Sequence, residues 1–538
     1  MSKTILVGLD GATFTVLDPL MANGTMPFLR DLVANGVRAS LRSVIPPLTP
    51  PAWTTLMTGK RPGGHGVFDF FQKETPESRF FRFASSNDIQ TATIWSLASD
   101  EGRRVTALNF PLMFPPPNVN GSVVPGGWMP WRQLRLGCHP AGLFDRLKTL
   151  PSFDPRELSH DASLEEKALE GCAAEEYADW IALHCRREQR WTEVLLYLMR
   201  EEPADLTAVL FDGVDKLQHL CWRFIDPAFR TDDPTTWEQE IRRLCEGYFR
   251  QLDGLIARIV EQAGPEASVV FASDHGFGPS SDVVYLNTWL EQQGYLAWAD
   301  DQAVQDGASN RVGISQIARH TFEMDWSRTI AYAATPSSQG IHIVGRDAAS
   351  DVGVPVESYD RVRGELMAAL RQFRHPVTGR PVVAEVWTRE EAFPGPHMAM
   401  GPDLTVVLEG DAVVSILRSD VTVKTRPEPV GTHRPEGVFL AGGPLFRRGA
   451  RLPEIHIEDV ATVLLYCTGV SLPAELDGRL PLDAFDPEGL RLNPPRFEAS
   501  RAPGPEPFTS EQTTPDLAYD AEEEALVLKR LGALGYLE

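Results

Sequence analysis

ILVGLD, Ile5 to Asp10, is a run of apolar or small residues cut off by an acid. Two later runs end the same way. Leu206 to Phe211 stops at Asp212, with Asp215 just beyond, and Ser268 to Ala272 stops at Ser273, Asp274 and His275. Continuous apolar runs of this length, set between helical patterns, predict buried parallel strands, because a strand with one wet face would alternate. The loops leaving the carboxyl ends of such strands build the site of an open α/β sheet. The expected class is therefore α/β, with helices on both faces of the sheet and acids gathered at one edge.

The chain has 538 residues, 43% of them hydrophobic, enough for two to four domains or one large domain carrying insertions. Lys and Arg total 51 against 74 Asp and Glu, a net charge of -23 that would repel a nucleic-acid polymer or an anionic membrane. A small anionic substrate is compatible with it where local cations offset the field. The six cysteines form no CxxC pair, which fits reduced thiols. The start lacks the pattern of a signal peptide, and no run reaches the roughly 18 apolar residues of a membrane span. The expectation is a soluble, cytoplasmic protein without membrane attachment; composition says nothing of its oligomeric state.

Dense charge with helix-spaced apolar positions from Ser163 to Glu201 predicts a helical insertion, assigned to 126–204. A mixed stretch, 291–399, holds strand-like IHIVG and VVAEVW and a helical YDRVRGELMAALRQF, and predicts an α+β cap lobe. From 486 to 538 the chain is Pro-rich and acidic and closes on AEEEALVLKRLGALGYLE, a predicted C-terminal helix. There is no internal repeat.

PPLTPPAWTTLMTGKRPGGHG, Pro46 to Gly66, sets Thr49 before two prolines that favour the first turn of a helix, the place of an N-cap. Negative charge at this point would meet unpaired backbone N–H groups and the positive end of the helix dipole. A threonine hydroxyl is nonetheless a weak nucleophile that needs a base or a metal. Candidate ligands exist. Asp215 and His219 in DGVDKLQH are four apart and share a helix face; Asp274 and His275 are adjacent at a strand end; His433 follows a turn in PVGTHRPEG; Asp10 closes the first strand. Carboxylate oxygens and imidazole nitrogens suit Zn²⁺, with Mn²⁺ or Fe²⁺ as alternatives.

Taken in order, Asp10, LTPPAWTTLMTGKRPGGHG, Asp215-x-x-x-His219, SDHG and GTHRPEG resemble the alkaline phosphatase superfamily, and within it the type I phosphodiesterase/nucleotide pyrophosphatase group. The resemblance implies an alkaline-phosphatase-like core from 1–125, 205–290 and 400–485. It implies two divalent ions, one on Asp10, Thr49, Asp274 and His275, the other on Asp215, His219 and His433. Thr49 would be the nucleophile, transiently phosphorylated, so that two displacements retain configuration at phosphorus. The implied substrate is a small phosphate ester, a nucleotide among the candidates, cleaved as a diester; a monoesterase, phosphomutase or phosphotransferase could use the same residues. Where the family carries an asparagine that touches a phosphoryl oxygen, HGVFDFF has Phe70. Asn109 and Lys60 are then the candidate substrate contacts, with Arg61 a further cation. His65 reads as a turn residue, His397 and His456 as packed or exposed, and GGWMPW, Gly126 to Trp131, as aromatic packing or a stacking surface.

Rival readings fail on particular residues. LVGLDGATF is similar to the haloacid dehalogenase pattern but has Gly8 where the nucleophilic aspartate would be. No G-x-x-x-x-G-K-[ST] occurs, and Thr49 stands where an arylsulfatase needs cysteine. An idle, metal-stabilised scaffold protein is the non-enzyme alternative; every named position being filled argues against it.

Overall fold

The computed structural model describes residues 3–499, apart from 77, 79–80, 127–128, 152, 160–173, 175, 300–322, 336, 347–351 and 411. The predicted C-terminal helix, Ser163 to Cys172 and Trp128 lie outside the described residues.

Nine strands make the central sheet: β1 (Thr4–Leu9), β2 (Val37–Arg42), β3 (Val105–Leu108), β4 (Gly121–Val124), β5 (Leu206–Phe211), β6 (Ser268–Ala272), β7 (Glu436–Gly442), and the short β8 (Ala450–Arg451) and β9 (Ile455–His456). Their order is β8-β2-β7-β6-β1-β5-β3-β4, with β9 also on β2. All pairings are parallel except those of β7, which runs back between β2 and β6. The three acid-terminated runs are thus neighbours, with Leu9 level with Phe211 and Gly8 with Ala272. That register brings Asp10, Asp215 and Asp274 to one edge.

Every residue of β1 and β5 is buried, yet the two faces meet different helices. The helices that cover them are α1 (Phe14–Ala22), α2 (Pro27–Asn35), α3 (Thr49–Thr58), α4 (Ile94–Asp100), α5 (Glu176–Glu201), α6 (Gly213–Ile225), α7 (Thr236–Ala263) and α8 (Asp459–Thr468). Ile5, Val7, Leu9, Val209 and Phe211 pack under α1, α2, α5, α6 and α7. Leu6, Leu206, Ala208 and Leu210 pack under α3, α4 and α8. Each of these Val, Leu, Ile and Phe side chains contributes about 1.5–3 kcal/mol on leaving water, so both layers are anchored through the strands that aim the acids.

Two smaller sheets extend the core. Gly276–Tyr285 pairs antiparallel with Val423–Arg434 and parallel with Ala412–Ser415. Ala331–Ala333, Gly340–Ile343, Leu404–Leu408 and Val383–Thr388 form an antiparallel sheet in that order, under the helix Tyr359–Gln372. The strand Leu404–Leu408 belongs to this second sheet, so a division of the chain near residue 400 cuts through it. Asp69, in the turn after α3, is buried and accepts hydrogen bonds from the Thr335 and Ser337 hydroxyls, fastening that turn to the cap lobe. Among the described residues no helix is long and apolar enough to cross a membrane.

Candidate functional site

The edge formed by β6, β1 and β5 collects two groups of side chains. In one, a ligand atom from each of Asp10, Asp274 and His275 lies within 4.8 Å of the others; Asp215, His219 and His433 meet the same limit. Local structure explains the aim of each. After Asp10 the chain turns through Gly11 at φ +67, a left-handed conformation open to glycine, and the Gly11 N–H reaches Asp274 Oδ1 at 3.1 Å. Trp53, on α3, points its indole N–H at Asp10 Oδ2, 3.4 Å away. Asp215 and His219 sit one turn apart on α6. His433 comes from the strand Val423–Arg434, opposite Phe277 on the strand that continues from His275.

The chemistry of these groups calls for cations. His219, His275 and His433 each set Nδ1 against a backbone carbonyl, of Gly431 at 3.2 Å, Gly276 at 3.1 Å and Pro47 at 3.0 Å. A carbonyl only accepts, so Nδ1 carries the proton and Nε2 presents a lone pair. His219 Nε2 and His433 Nε2 face each other at 3.1 Å. Asp10 Oδ1, Asp215 Oδ1 and Asp274 Oδ2 are buried and meet no hydrogen-bond donor among the described residues. Lone pairs converging without protons, beside orphaned carboxylate oxygens, fit divalent ions on mixed N and O ligands. The His275 and His433 rings stack with centroids 3.6 Å apart, so the two groups share a wall.

Acid–base behaviour follows from the same crowding. Burial, then repulsion from Asp274 and Asp215, raises Asp10 well above the carboxylate range. Asp274 is pushed up to about 8 by burial, with the charge of Asp215 adding to it against the opposing Gly11 N–H. For Asp215 burial also pulls upward, but the neighbouring His219 and Lys216, with His433 beside them, outweigh it and hold it low. Burial lowers His275 and His433 and keeps them neutral, the state a ligand needs. Thr49 is buried, and its Oγ1 is 3.3 Å from His275 Nε2, against the Asp10 group.

The sequence profile described as "Type I phosphodiesterase / nucleotide pyrophosphatase" matches residues 4–435, most of the chain and nearly all of both groups' supporting elements. The protein belongs to this family. It is a hydrolase of phosphoric ester bonds. Among solved structures, an inactive variant of murine ectonucleotide pyrophosphatase/phosphodiesterase 5 in complex with AMP gives a TM-score of 0.50 at 15% identity, covering 88% of this chain and 96% of that one. The human counterpart gives 0.49 at 15% identity over 87% and 96%. Phosphonoacetate hydrolase from Sinorhizobium meliloti with phosphonoformate gives 0.47 at 18% identity over 87% and 95%. At such identities the likeness is one of fold. No functionally curated protein matches the sequence.

Several residues of this phosphodiesterase-family protein stand differently from their sequence expectation. Thr49 is not the N-cap its neighbours predict. The helix begins at Thr49 itself, Leu48 is the N-cap, and the first intrahelical bond runs from Ala52 N–H to the Leu48 carbonyl. Pro50 and Pro51 carry no N–H, so the first turn offers an anion fewer donors than an ordinary helix end would. Lys60 is not brought to the site. It follows the C-terminal end of α3, about 15 Å from Thr49 by the helical rise, where its ammonium meets the Glu475 carbonyl and lies 3.7 Å from Asp477. Lys60→Ala is expected to leave kcat/KM within about twofold of wild type, the range of substitutions remote from a site; a larger rise in KM would restore it as a substrate contact.

Asn109 is buried at the end of β3 with φ +66 and donates from Nδ2 to the Leu210 carbonyl at 2.9 Å, tying two strand ends together. Its Oδ1 meets no donor among the described residues. His65 takes the Val67 N–H on Nδ1 at 3.1 Å and meets the Thr55 hydroxyl through Nε2 at 2.9 Å, bracing the turn after α3. His456 is exposed on β9, and Trp131 lies near Arg132 and Arg156. Trp53, Ser43, whose hydroxyl donates to the Asp274 carbonyl at 2.5 Å, and Lys216 were not found from sequence. Only Lys216 carried a signal, a cation directly after a candidate ligand.

Proposed function

We propose that this hydrolase cleaves a phosphodiester or pyrophosphate-like bond in a small soluble phosphate ester, a nucleotide among the candidates, through transient phosphorylation of Thr49. The observation that carries the reading is the position of the Thr49 hydroxyl, 3.3 Å from Nε2 of His275, one of the Asp10 group of candidate ligands. Asp10, Thr49, Asp274 and His275 would hold one divalent ion and Asp215, His219 and His433 another, Zn²⁺ foremost. When bound, such ions supply positive charge that lowers the pKa of the hydroxyl and steadies the phosphoryl and leaving oxygens.

The chain's own residues do the rest. Trp53 and Gly11 orient the carboxylates of Asp10 and Asp274. Thr49 is the first residue of α3, where the helix dipole favours negative charge on Oγ1. Thr49 oxygen forms the new P–O bond as the ester P–O bond breaks, and the alcohol leaves with a proton. Water then breaks the phosphothreonine bond, releasing the phosphorylated product and restoring the hydroxyl. A cavity of about 160 Å³ between the 45–48 loop and the cap lobe, with Leu48, His433, Arg42, Arg426 and Arg434 in its wall, has the size of a single ring. That supports a small ester rather than a polymer. The five described cysteines form no disulfide, which supports the cytoplasm as location.

Stereochemistry tests the scheme. Hydrolysis of a chiral phosphorothioate diester in ¹⁸O-water is expected to retain configuration at phosphorus. Inversion, the mark of one direct attack by water, removes the phosphothreonine.

A further inference from the structure

We infer that Lys216 is a positioning residue for the Asp215 group: its buried ammonium holds one carboxylate oxygen of Asp215 so that the other is presented to His219 and His433. Lys216 is 2% exposed, among the largest fully buried side chains of the molecule. Burying an ammonium costs several kcal/mol unless an opposite charge meets it, and Lys216 Nζ lies 3.5 Å from Asp215 Oδ2. The other oxygen, Oδ1, lies 3.2 Å from His433 Nε2 and 3.4 Å from His219 Nε2. The two oxygens of one carboxylate thus have separate neighbours, a cation on one side and two imidazole lone pairs on the other.

The helical insertion sets this geometry. Adjacent residues on a helix diverge by about 100°, so the lysine stem folds back to reach its neighbour and needs the first turn of α6 held still. Trp180 of α5 donates its indole N–H to the Lys216 carbonyl at 3.3 Å. Glu188 of α5 takes the Gly213 N–H at 2.8 Å and the Tyr248 hydroxyl of α7 at 2.9 Å on the same oxygen. Two contacts from α5 therefore clamp the turn that carries Asp215 and Lys216, and Tyr248 of α7 braces one of them.

The inference rests on the two-ion reading above, and its test separates the two. Full-length wild type, Lys216→Met and Lys216→Gln are stripped of metal and titrated with Co²⁺ against a chromogenic chelator, with the visible spectrum recorded. Wild type is expected to take up two equivalents. In both variants one equivalent is expected to bind about 10–100-fold more weakly, the usual effect of losing a partner of a ligand, with an altered absorption band, while the other is unchanged. Lys216→Arg is expected to recover most of the affinity. At limiting Co²⁺ the variants should lose kcat, regained with excess metal, at constant KM. Variants that bind both equivalents as wild type does, or that lose only melting temperature, overturn the positioning role and leave the two-ion site standing. A wild type that binds no Co²⁺ overturns both.

Discussion

Thr49→Ala, assayed at saturating metal so that the loss of one ligand leaves both sites filled, is expected to lower kcat for bis-p-nitrophenyl phosphate by about 10⁴-fold or more, the scale seen when a covalent nucleophile is removed, with melting temperature unchanged. The substitution deletes one hydroxyl and one methyl at the first residue of α3, where alanine is helix-compatible and the following prolines still begin the turn. Asp10 keeps Trp53, Asp274 keeps Gly11, and every imidazole keeps its carbonyl. Only the atom facing His275 Nε2 is gone. Thr49→Ser, which keeps an oxygen there, should regain much of the rate. Turnover by the alanine variant within tenfold of wild type would refute the nucleophile. A metal-loaded wild type inert on every ester tried would favour the scaffold alternative.

Removing the ions should reverse the sign of the protein's response to pH. Asp274 is pushed up to about 8 and Asp10 also rises, so between the ordinary carboxylate range near 4 and about 8 the metal-free folded chain holds more protons than the unfolded chain. Linkage then requires its stability to fall as pH rises through that window. Asp215 works oppositely: held low, it stabilises above the ordinary carboxylate range and loses that contribution as pH falls below it. Bound ions need deprotonated ligands, so their stabilisation grows with pH, reaching about 4 kcal/mol per site at a thousandfold excess over Kd. Melting temperatures at pH 6 and 8, with and without chelator, are expected to move oppositely: the chelated protein is less stable at pH 8 than at pH 6, the loaded protein more stable at pH 8. Parallel shifts in both forms would show that the carboxylates answer to something other than metal.

The parts legible in the sequence were those whose signal is local and unambiguous. Unbroken apolar runs ending at Asp10, Asp212 and Asp274 can hardly be anything but buried parallel strands, and they are neighbours in the sheet. His219 follows Asp215 by one helical turn. His433 was reachable only through motif order, since a ligand 214 residues from its partner leaves no periodic trace. Misreadings came where chain distance stands in for space. Lys60 is near Thr49 in the chain, but a ten-residue helix separates them. The strand Leu404–Leu408 pairs with Val383–Thr388 in the second sheet, and its apolar run carries no signal of which sheet it joins. Lys216 escaped because a lysine on a helix is ordinarily solvated, and only packing from α5 reveals that it is not.

The strand pair Gly276–Tyr285 and Val423–Arg434 has one end at the candidate metal ligands and the other in the apolar interior of the distal lobe, at Val284 and Val423. Its register shifts between Thr425 and Val430, so the segment that seats His433 opposite Phe277 is paired separately from the distal end. Exchange of the distal lobe between homologous chains would consequently need to preserve the pairing from Val430 to Arg434 even where every side chain before the shift is replaced.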